Sequence, residues 1–79
     1  MGPMEGHLQR VVGANLRAIR RRTGLSQERM AERLDWHRTY VGGVERGERN
    51  LTLRSVERLA DLLEVDPLDL LSEGRGLDD

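Results

Sequence analysis

The sequence has no cysteine, no phenylalanine and only two prolines among its 79 residues. Without cysteine, neither a disulfide bridge nor a thiolate metal site can stabilise the chain. Leucine is abundant and β-branched residues are few, a composition that favours helices over strands. A chain of this length buries a thin core, so we expect one domain that gains stability from self-association.

Long apolar runs are missing too. No segment approaches the roughly 20 apolar residues that cross a bilayer, so we expect no membrane partner. The N-terminus lacks the basic-then-apolar layout of a signal peptide, which predicts a cytoplasmic protein. His7 and His37 are far apart and have no clustered metal partners, and no phosphate-binding loop or nucleophile motif is present. The sequence therefore predicts no enzyme, no metal, no cofactor and no small-molecule ligand.

Basic charge is carried by arginine alone, at 13 positions. Residues 1–58 contain twelve arginines against seven acidic residues, whereas residues 59–79 contain one arginine against seven. The net charge of −1 therefore conceals a basic body and an acidic end. A basic body favours a polyanionic partner. The exclusive use of arginine fits either bidentate binding of phosphate and guanine or simply a GC-rich genome.

The spacing of apolar residues and the residues that begin or end helices predict five helices. Together they predict an all-α, compact five-helix bundle. They run from about His7 to Thr23, Ser26 to Leu34, His37 to Arg46, Thr52 to Leu63, and Asp66 to just before Gly74. Leu8 should face inward from the first helix. The bundle occupies residues 7–73, between a flexible N-terminus at 1–6 and a flexible acidic tail at 74–79.

Helix ends are marked by particular residue types. Ser26, Thr52 and Asp66 are typical N-cap residues, the last followed by proline. Gly24 should end the first helix in the left-handed conformation, and Asp35 is among the few other residues that tolerate it.

The second and third helices are separated by only about three residues. So short a connection makes them cross steeply, which is the geometry of a helix-turn-helix. Trp36 should fill the gap between them. The first side chains of the third helix then face outward, where they can enter the major groove of duplex DNA.

Several segments carry a resemblance to a known family. GLSQE at 24–28, MA at 30–31 and VERG at 44–47 resemble the Cro and phage-repressor (XRE-like) class of helix-turn-helix regulators. The longer segment RTYVGGVERGERN at 38–50 resembles the controller proteins of restriction–modification systems. The likeness extends from about Leu8 to Leu71, and it implies a lambda repressor-like DNA-binding domain that activates or represses transcription.

The resemblance implies a DNA-contacting set of eight residues. Five of them could each instead be a solvated or packing residue, namely Gln27, Arg38, Tyr40, Arg49 and Asn50. The set is Gln27, His37, Arg38, Thr39, Tyr40, Gly43, Arg49 and Asn50. Gln27 matches a position that holds a phosphate, and Arg38 and Thr39 match the exposed start of the recognition helix. Arg38 would bind guanine O6 and N7. Arg20 and Glu45 match a structural ion pair between the first and third helices.

Gly42 and Gly43 lie inside the third helix, where each costs about 1 kcal/mol relative to alanine. We favour the interpretation that they let the helix backbone approach DNA closely, and the alternative is crowding against a neighbouring helix. Neither position offers a side chain for base contacts, so DNA shape should contribute more to specificity.

Regulators of this class usually bind pseudo-palindromic operators as two-fold homodimers. We expect an interface on the last two helices, at Leu68, Leu70 and Leu71. Leu68 and Leu71 could instead close the core, whereas Leu70 is expected to be hard to bury within one chain. The leading interpretation is a sequence-specific DNA-binding regulator of the controller type. The alternative is an antitoxin-type protein whose residues 59–71 bind a protein partner.

Overall fold

Every regular element within residues 5–74, which the computed structural model describes, is a helix. The helices are α1 His7–Arg22, α2 Gln27–Leu34, α3 Arg38–Glu45, α4 Leu53–Leu63 and α5 Pro67–Leu70. The expected all-α, five-helix architecture is confirmed. None of these helices is both long and apolar enough to span a bilayer. The ends expected to be flexible, 1–6 and 74–79, fall largely outside the described residues.

The three expected N-caps are confirmed. Ser26 Oγ accepts a hydrogen bond from the backbone N–H of Arg29 at 3.1 Å, and Thr52 Oγ1 accepts one from Ser55 at 3.0 Å. Asp66 caps α5 in the same manner, with proline at the start of the helix. Each cap satisfies one of the backbone donors that a helix start leaves unpaired.

Four of the helices end with the same backbone motif, in which one residue is left-handed. These residues are Gly24, Asp35, Gly47 and Glu64, with φ between 58° and 76°. In each case the next residue's N–H bonds to the carbonyl five residues earlier, which is the Schellman motif. After α1, α2 and α4 that next residue is apolar and packs against the core: Leu25, Trp36 and Val65. The motif therefore ends each helix and turns the following side chain inward.

All five helices contribute to one apolar core. Its buried members are Val12, Leu16, Ile19, Met30, Ala31, Leu34, Val41, Val44, Val56, Leu59, Ala60, Leu63 and Leu70. Within it, α1 and α3 come into backbone contact at Gly13. A Cβ at Gly13 would overlap the carbonyl oxygen of Val44 and lie 2.8 Å from that of Glu45. The glycine thus lets α1 support α3 along its inner face.

The expectation that Leu70 lies outside the monomer core is wrong, because Leu70 is completely buried. Asn15 of α1 is the reason. Its amide Nδ2 donates to the carbonyl oxygens of Leu70 at 2.8 Å, Ser72 at 3.0 Å and Asp69 at 3.2 Å. These bonds dock the end of α5 onto α1 and direct Leu70 inward. Asn15 is itself buried, and its amide group donates to carbonyls at the helix end.

Two other leucines also differ from the sequence-based expectation. Leu8, predicted to face inward, is 53% exposed because the first turn of α1 extends beyond the core. Leu68 is 68% exposed, whereas Leu71 is half-buried against the core. The apolar surface that remains available therefore differs from the predicted Leu68, Leu70 and Leu71 set.

Candidate nucleic-acid interface

The first turn of α3 is exposed, while the rest of the helix is largely buried. Arg38 and Thr39 face solvent, whereas residues 41–44 are covered by the core and by neighbouring side chains. His37 precedes the helix in an extended conformation, and its side chain is also exposed. The helix-turn-helix expected from the spacing is thus present, with the start of its second helix directed away from the core.

A shallow basin lies on this exposed face. It is lined by Gln27, Arg38, Thr39, Gly42 and Arg46. Arg38, Gly42 and Arg46 are spaced four residues apart, which places them on one face of the helical chain. The missing side chain of Gly42 leaves the basin open, since a Cβ there would lie 3.1 Å from Arg46 Nη1. Two guanidinium groups and an amide make this surface suitable for phosphate oxygens and base edges.

The position of Gln27 relative to α3 is fixed by a buried ion pair. Arg20 Nε donates to Glu45 Oε2 at 2.6 Å and Arg20 Nη2 donates to Glu45 Oε1 at 3.1 Å, a bidentate pair. Gln27 Nε2 donates to the same Glu45 Oε1 at 3.0 Å. Arg20 Nη1 also donates to the carbonyl of Leu25 at 3.0 Å. One carboxylate therefore joins α1, α2 and α3, and the expected ion pair is confirmed.

The positive charge of Arg20 in this pair is maintained by its geometry. The side chains of Arg20 and Glu45 are only 13% and 3% exposed. The hydrogen bond to Glu45 raises the pKa of Arg20 above its usual value and outweighs the opposing effect of burial. The guanidinium stays charged wherever the fold is stable, so the carboxylate keeps its partner.

A second cluster of the expected contact residues lies at Tyr40. The guanidinium carbon of Arg49 lies 5.3 Å from the centre of the Tyr40 ring. Trp36 also packs against Tyr40, with the ring centres 4.8 Å apart in an edge-on arrangement. A Cβ at Gly43 would lie 2.9 Å from Arg49 Nε. The Arg49 side chain thus lies against both Tyr40 and Gly43.

Asn50 lies apart from both clusters. It borders an apolar groove that is lined mainly by Leu8, Leu51, Leu53 and Leu71. The structure therefore divides the eight expected contact residues among the basin, the Tyr40 cluster, the exposed N-cap of α3 and this groove.

Two structural features of this face were not predicted from the sequence. Arg46 was not among the expected contacts, although its spacing of eight residues from Arg38 marks it as lying on the same side of the helix. The hydrogen bond from Gln27 to Glu45 was also missed, because nothing local in the sequence relates residues 18 positions apart.

The family model described as a helix-turn-helix domain matches residues 11–73. The chain belongs to the helix-turn-helix family. This match includes α2, α3 and the connection between them, and it confirms the resemblance to the XRE-like class of regulators. The protein is therefore a DNA-binding transcription regulator and not an enzyme.

Relatives of this helix-turn-helix regulator include named control proteins. It is 39% identical over 69 residues to control protein C.BamHI of Bacillus amyloliquefaciens, a match covering 86% of this chain and 85% of the relative. It is 42% identical over 65 residues to control protein C.SmaI of Serratia marcescens, covering 82% and 77% respectively. The likeness to restriction–modification controller proteins is thus confirmed over most of the chain.

Solved structures support the same relationship. The controller protein C.AhdI of Aeromonas hydrophila superimposes with a TM-score of 0.68 at 44% identity, covering 78% of this chain and 94% of that one. A hypothetical transcription factor, NHTF, from Neisseria superimposes with a TM-score of 0.76 at 37% identity, covering 86% and 78%. At such identities the helix-turn-helix regulator shares both fold and ancestry with these proteins.

Proposed function

We propose that this regulator binds a specific duplex operator through the first turn of α3 and controls the transcription of restriction–modification genes. The observation that carries the proposal is the joint exposure of Arg38 and Thr39 beside Gln27 on one basic face. The relatives named as control proteins favour this form over the antitoxin alternative. Since its proposed target is genomic DNA and the control proteins it resembles are bacterial, the protein would act in the cytoplasm.

In this proposal Arg38 reads the sequence. Its guanidinium is exposed at the start of α3, where a recognition helix presents side chains to base edges in the major groove. A bidentate contact to O6 and N7 distinguishes guanine from the other bases. Thr39, its neighbour in the basin, is placed to meet a thymine methyl group or a phosphate.

Gln27, Arg46 and Arg49 would hold the DNA backbone. Arg46 lies eight residues beyond Arg38, a separation of about 12 Å at the helical rise. The major groove is itself about 12 Å wide, so a helix with Arg38 in the groove brings Arg46 to the phosphates at its edge. Such contacts set the register of the protein without reading bases. His37 and Tyr40 lie nearby and would contribute at the edge of the same surface.

The protein would bind as a homodimer through the groove lined by Leu8, Leu51, Leu53 and Leu71. Leu53 is 75% exposed and Leu8 is 53% exposed, so this groove presents leucine side chains to solvent at the start of α4. A second copy of the chain is the partner that we propose, because a two-fold dimer doubles the number of base pairs that are read. Leu68 remains a candidate, but Leu70 is removed by its burial.

Selection from a pool of random-sequence duplexes tests the proposed function. The wild-type protein should enrich a pseudo-palindrome whose half-sites contain a guanine. Arg38→Ala should weaken binding by about 1–3 kcal/mol and relax the preference at one symmetric pair of positions. A uniform loss over all sequences would make Arg38 a phosphate contact. Failure of the wild-type protein to enrich any duplex would contradict the function itself.

A further inference from the structure

One arginine of the proposed DNA-binding face is already ordered by the protein's own surface. The Arg49 guanidinium lies 5.3 Å from the centre of the Tyr40 ring, within the range of a cation–π interaction. The same side chain passes over Gly43, where a Cβ would lie 2.9 Å from Arg49 Nε and 3.1 Å from Cγ. Tyr40 and Gly43 together form what we call the Arg49 seat.

The ring that forms this seat is held firmly. Trp36 contacts Tyr40 edge-on, with ring planes at 89°, and both aromatic side chains pack against the core. Trp36 is in turn positioned by the backbone motif that ends α2, through its N–H bond to the carbonyl of Ala31 at 2.8 Å. Holding a long arginine side chain on a fixed surface before binding reduces the conformational entropy that binding must remove.

We propose that Gly43 is a positioning residue of the DNA interface, because its missing side chain lets Arg49 lie in the seat and contact a DNA phosphate. The inference rests on the proposed DNA-binding function. It differs from the expectation that the backbone at Gly43 itself approaches the DNA. Gly43 is buried, and the direction of its absent side chain is occupied by Arg49.

Replacing Gly43 with alanine distinguishes a role in positioning Arg49 from a direct approach of the Gly43 backbone to the DNA. The three atoms nearest to the added methyl group would all belong to the Arg49 side chain. A flexible side chain can move away, so the fold should persist, and alanine also favours the helix more than glycine does. Gly43→Ala should therefore leave the protein folded while displacing Arg49 from Tyr40.

A double-mutant cycle on binding to the selected duplex tests this coupling. Arg49→Ala alone should weaken binding about tenfold on all sequences, as expected for a phosphate contact. Gly43→Ala alone should weaken binding about fivefold. Adding Arg49→Ala to Gly43→Ala should weaken binding by less than about a further twofold, because the contact of Arg49 with the DNA is already lost. Gly42→Ala is the matched control. A Cβ at Gly42 would meet Arg46 and Gln27 instead, so Arg49→Ala should retain its full effect in that background.

Multiplicative losses from Gly43→Ala and Arg49→Ala would overturn the inference and favour direct approach of Gly43 to the DNA.

Proton NMR of the free protein provides a readout without DNA. The Arg49 side-chain protons should be shifted upfield by the Tyr40 ring in the wild type and in Gly42→Ala, but not in Gly43→Ala. An unshifted Arg49 in the wild type would also overturn the inference. If the wild type binds no duplex at all, the DNA-binding function fails, and this inference fails with it.

Discussion

Glu45 joins three helices beside the candidate interface through a single carboxylate. Its carboxylate accepts hydrogen bonds from Arg20 of α1 and from Gln27 of α2, while Glu45 itself belongs to α3. The position of Gln27, the proposed phosphate contact, relative to α3 is therefore linked to one buried side chain. A local change at Glu45 should affect both stability and the geometry of the DNA-binding face.

Glu45→Ala should destabilise the fold by about 3–5 kcal/mol, because it leaves the Arg20 charge buried without its partner. Urea denaturation monitored by Trp36 fluorescence measures the loss. Glu48→Ala is the control, since the pair that Glu48 makes with Arg46 is about 60% exposed on both side chains. That variant should change stability by no more than about 0.5 kcal/mol. Equal effects of the two variants would contradict the structural role of Glu45.

Single residues also show what a sequence alone can and cannot predict. The Arg20–Glu45 pair was predicted because the chain resembles a family in which those positions match an ion pair. Asn15 carries no such signal, since asparagine in a helix gives no indication of which distant carbonyls it will contact. Its three bonds to the end of α5 are set by tertiary packing, and they explain why the burial of Leu70 was not foreseen.

At the scale of the helices, the caps and ends of each helix can be predicted from the sequence, whereas the contacts between helices cannot. Ser26, Thr52, Asp66, Gly24 and Asp35 all act as their residue types suggested, because capping depends on local backbone chemistry. Glu64 takes the left-handed position after α4 without any signal from its residue type. The division of the exposed surface between basin, Tyr40 cluster and groove depends on how α3 lies on α1, which local sequence does not encode.

Two glycines inside helices give a test of that packing, since their replacement by alanine should have opposite effects. Gly42→Ala should stabilise the protein by about 1 kcal/mol through helix propensity, because its new methyl group meets the ends of the Arg46 and Gln27 side chains. Gly13→Ala should destabilise it by about 1–3 kcal/mol or more, because its methyl group would overlap the backbone of α3.

Thermal unfolding of both variants measures the difference. A Gly13→Ala variant as stable as the wild type would show that α1 and α3 are not in close backbone contact. The circular dichroism of the folded state should be unchanged in either variant, which separates a packing effect from a loss of helix.

At the scale of the whole molecule, the charges are divided between two regions. The basic basin lies on α2 and α3, while residues 59–74, at the end of α4 and in α5, contain five acidic residues and no basic one. Duplex DNA would repel the acidic region and attract the basin, so the charge distribution favours one orientation of the protein on DNA.

The proposed dimer is also a property of the whole molecule, and α4 offers a matched pair of leucines to test it. Leu53 and Leu62 are nine residues apart, which places them on opposite sides of the helix. Leu53 borders the apolar groove, whereas Leu62 lies near Trp36 and Arg58.

Leu53→Glu should shift the protein toward monomer in sedimentation velocity, because it places a charge in the proposed interface. Leu62→Glu should leave the association unchanged, since its side chain lies outside that groove. Retention of the full dimer by Leu53→Glu would remove the groove from the interface, and the opposite ranking of the two variants would assign the interface to the Leu62 side.

The most direct test of the central claim is the salt dependence of binding to the selected duplex, measured by fluorescence anisotropy. If Arg46 and Arg49 of each protomer neutralise phosphates in a dimer, the logarithm of the binding constant should fall linearly with the logarithm of salt concentration, with a slope of about −4. Arg49→Ala should reduce the magnitude of that slope by about half. A binding constant that does not change with salt would contradict recognition of DNA through this basic face.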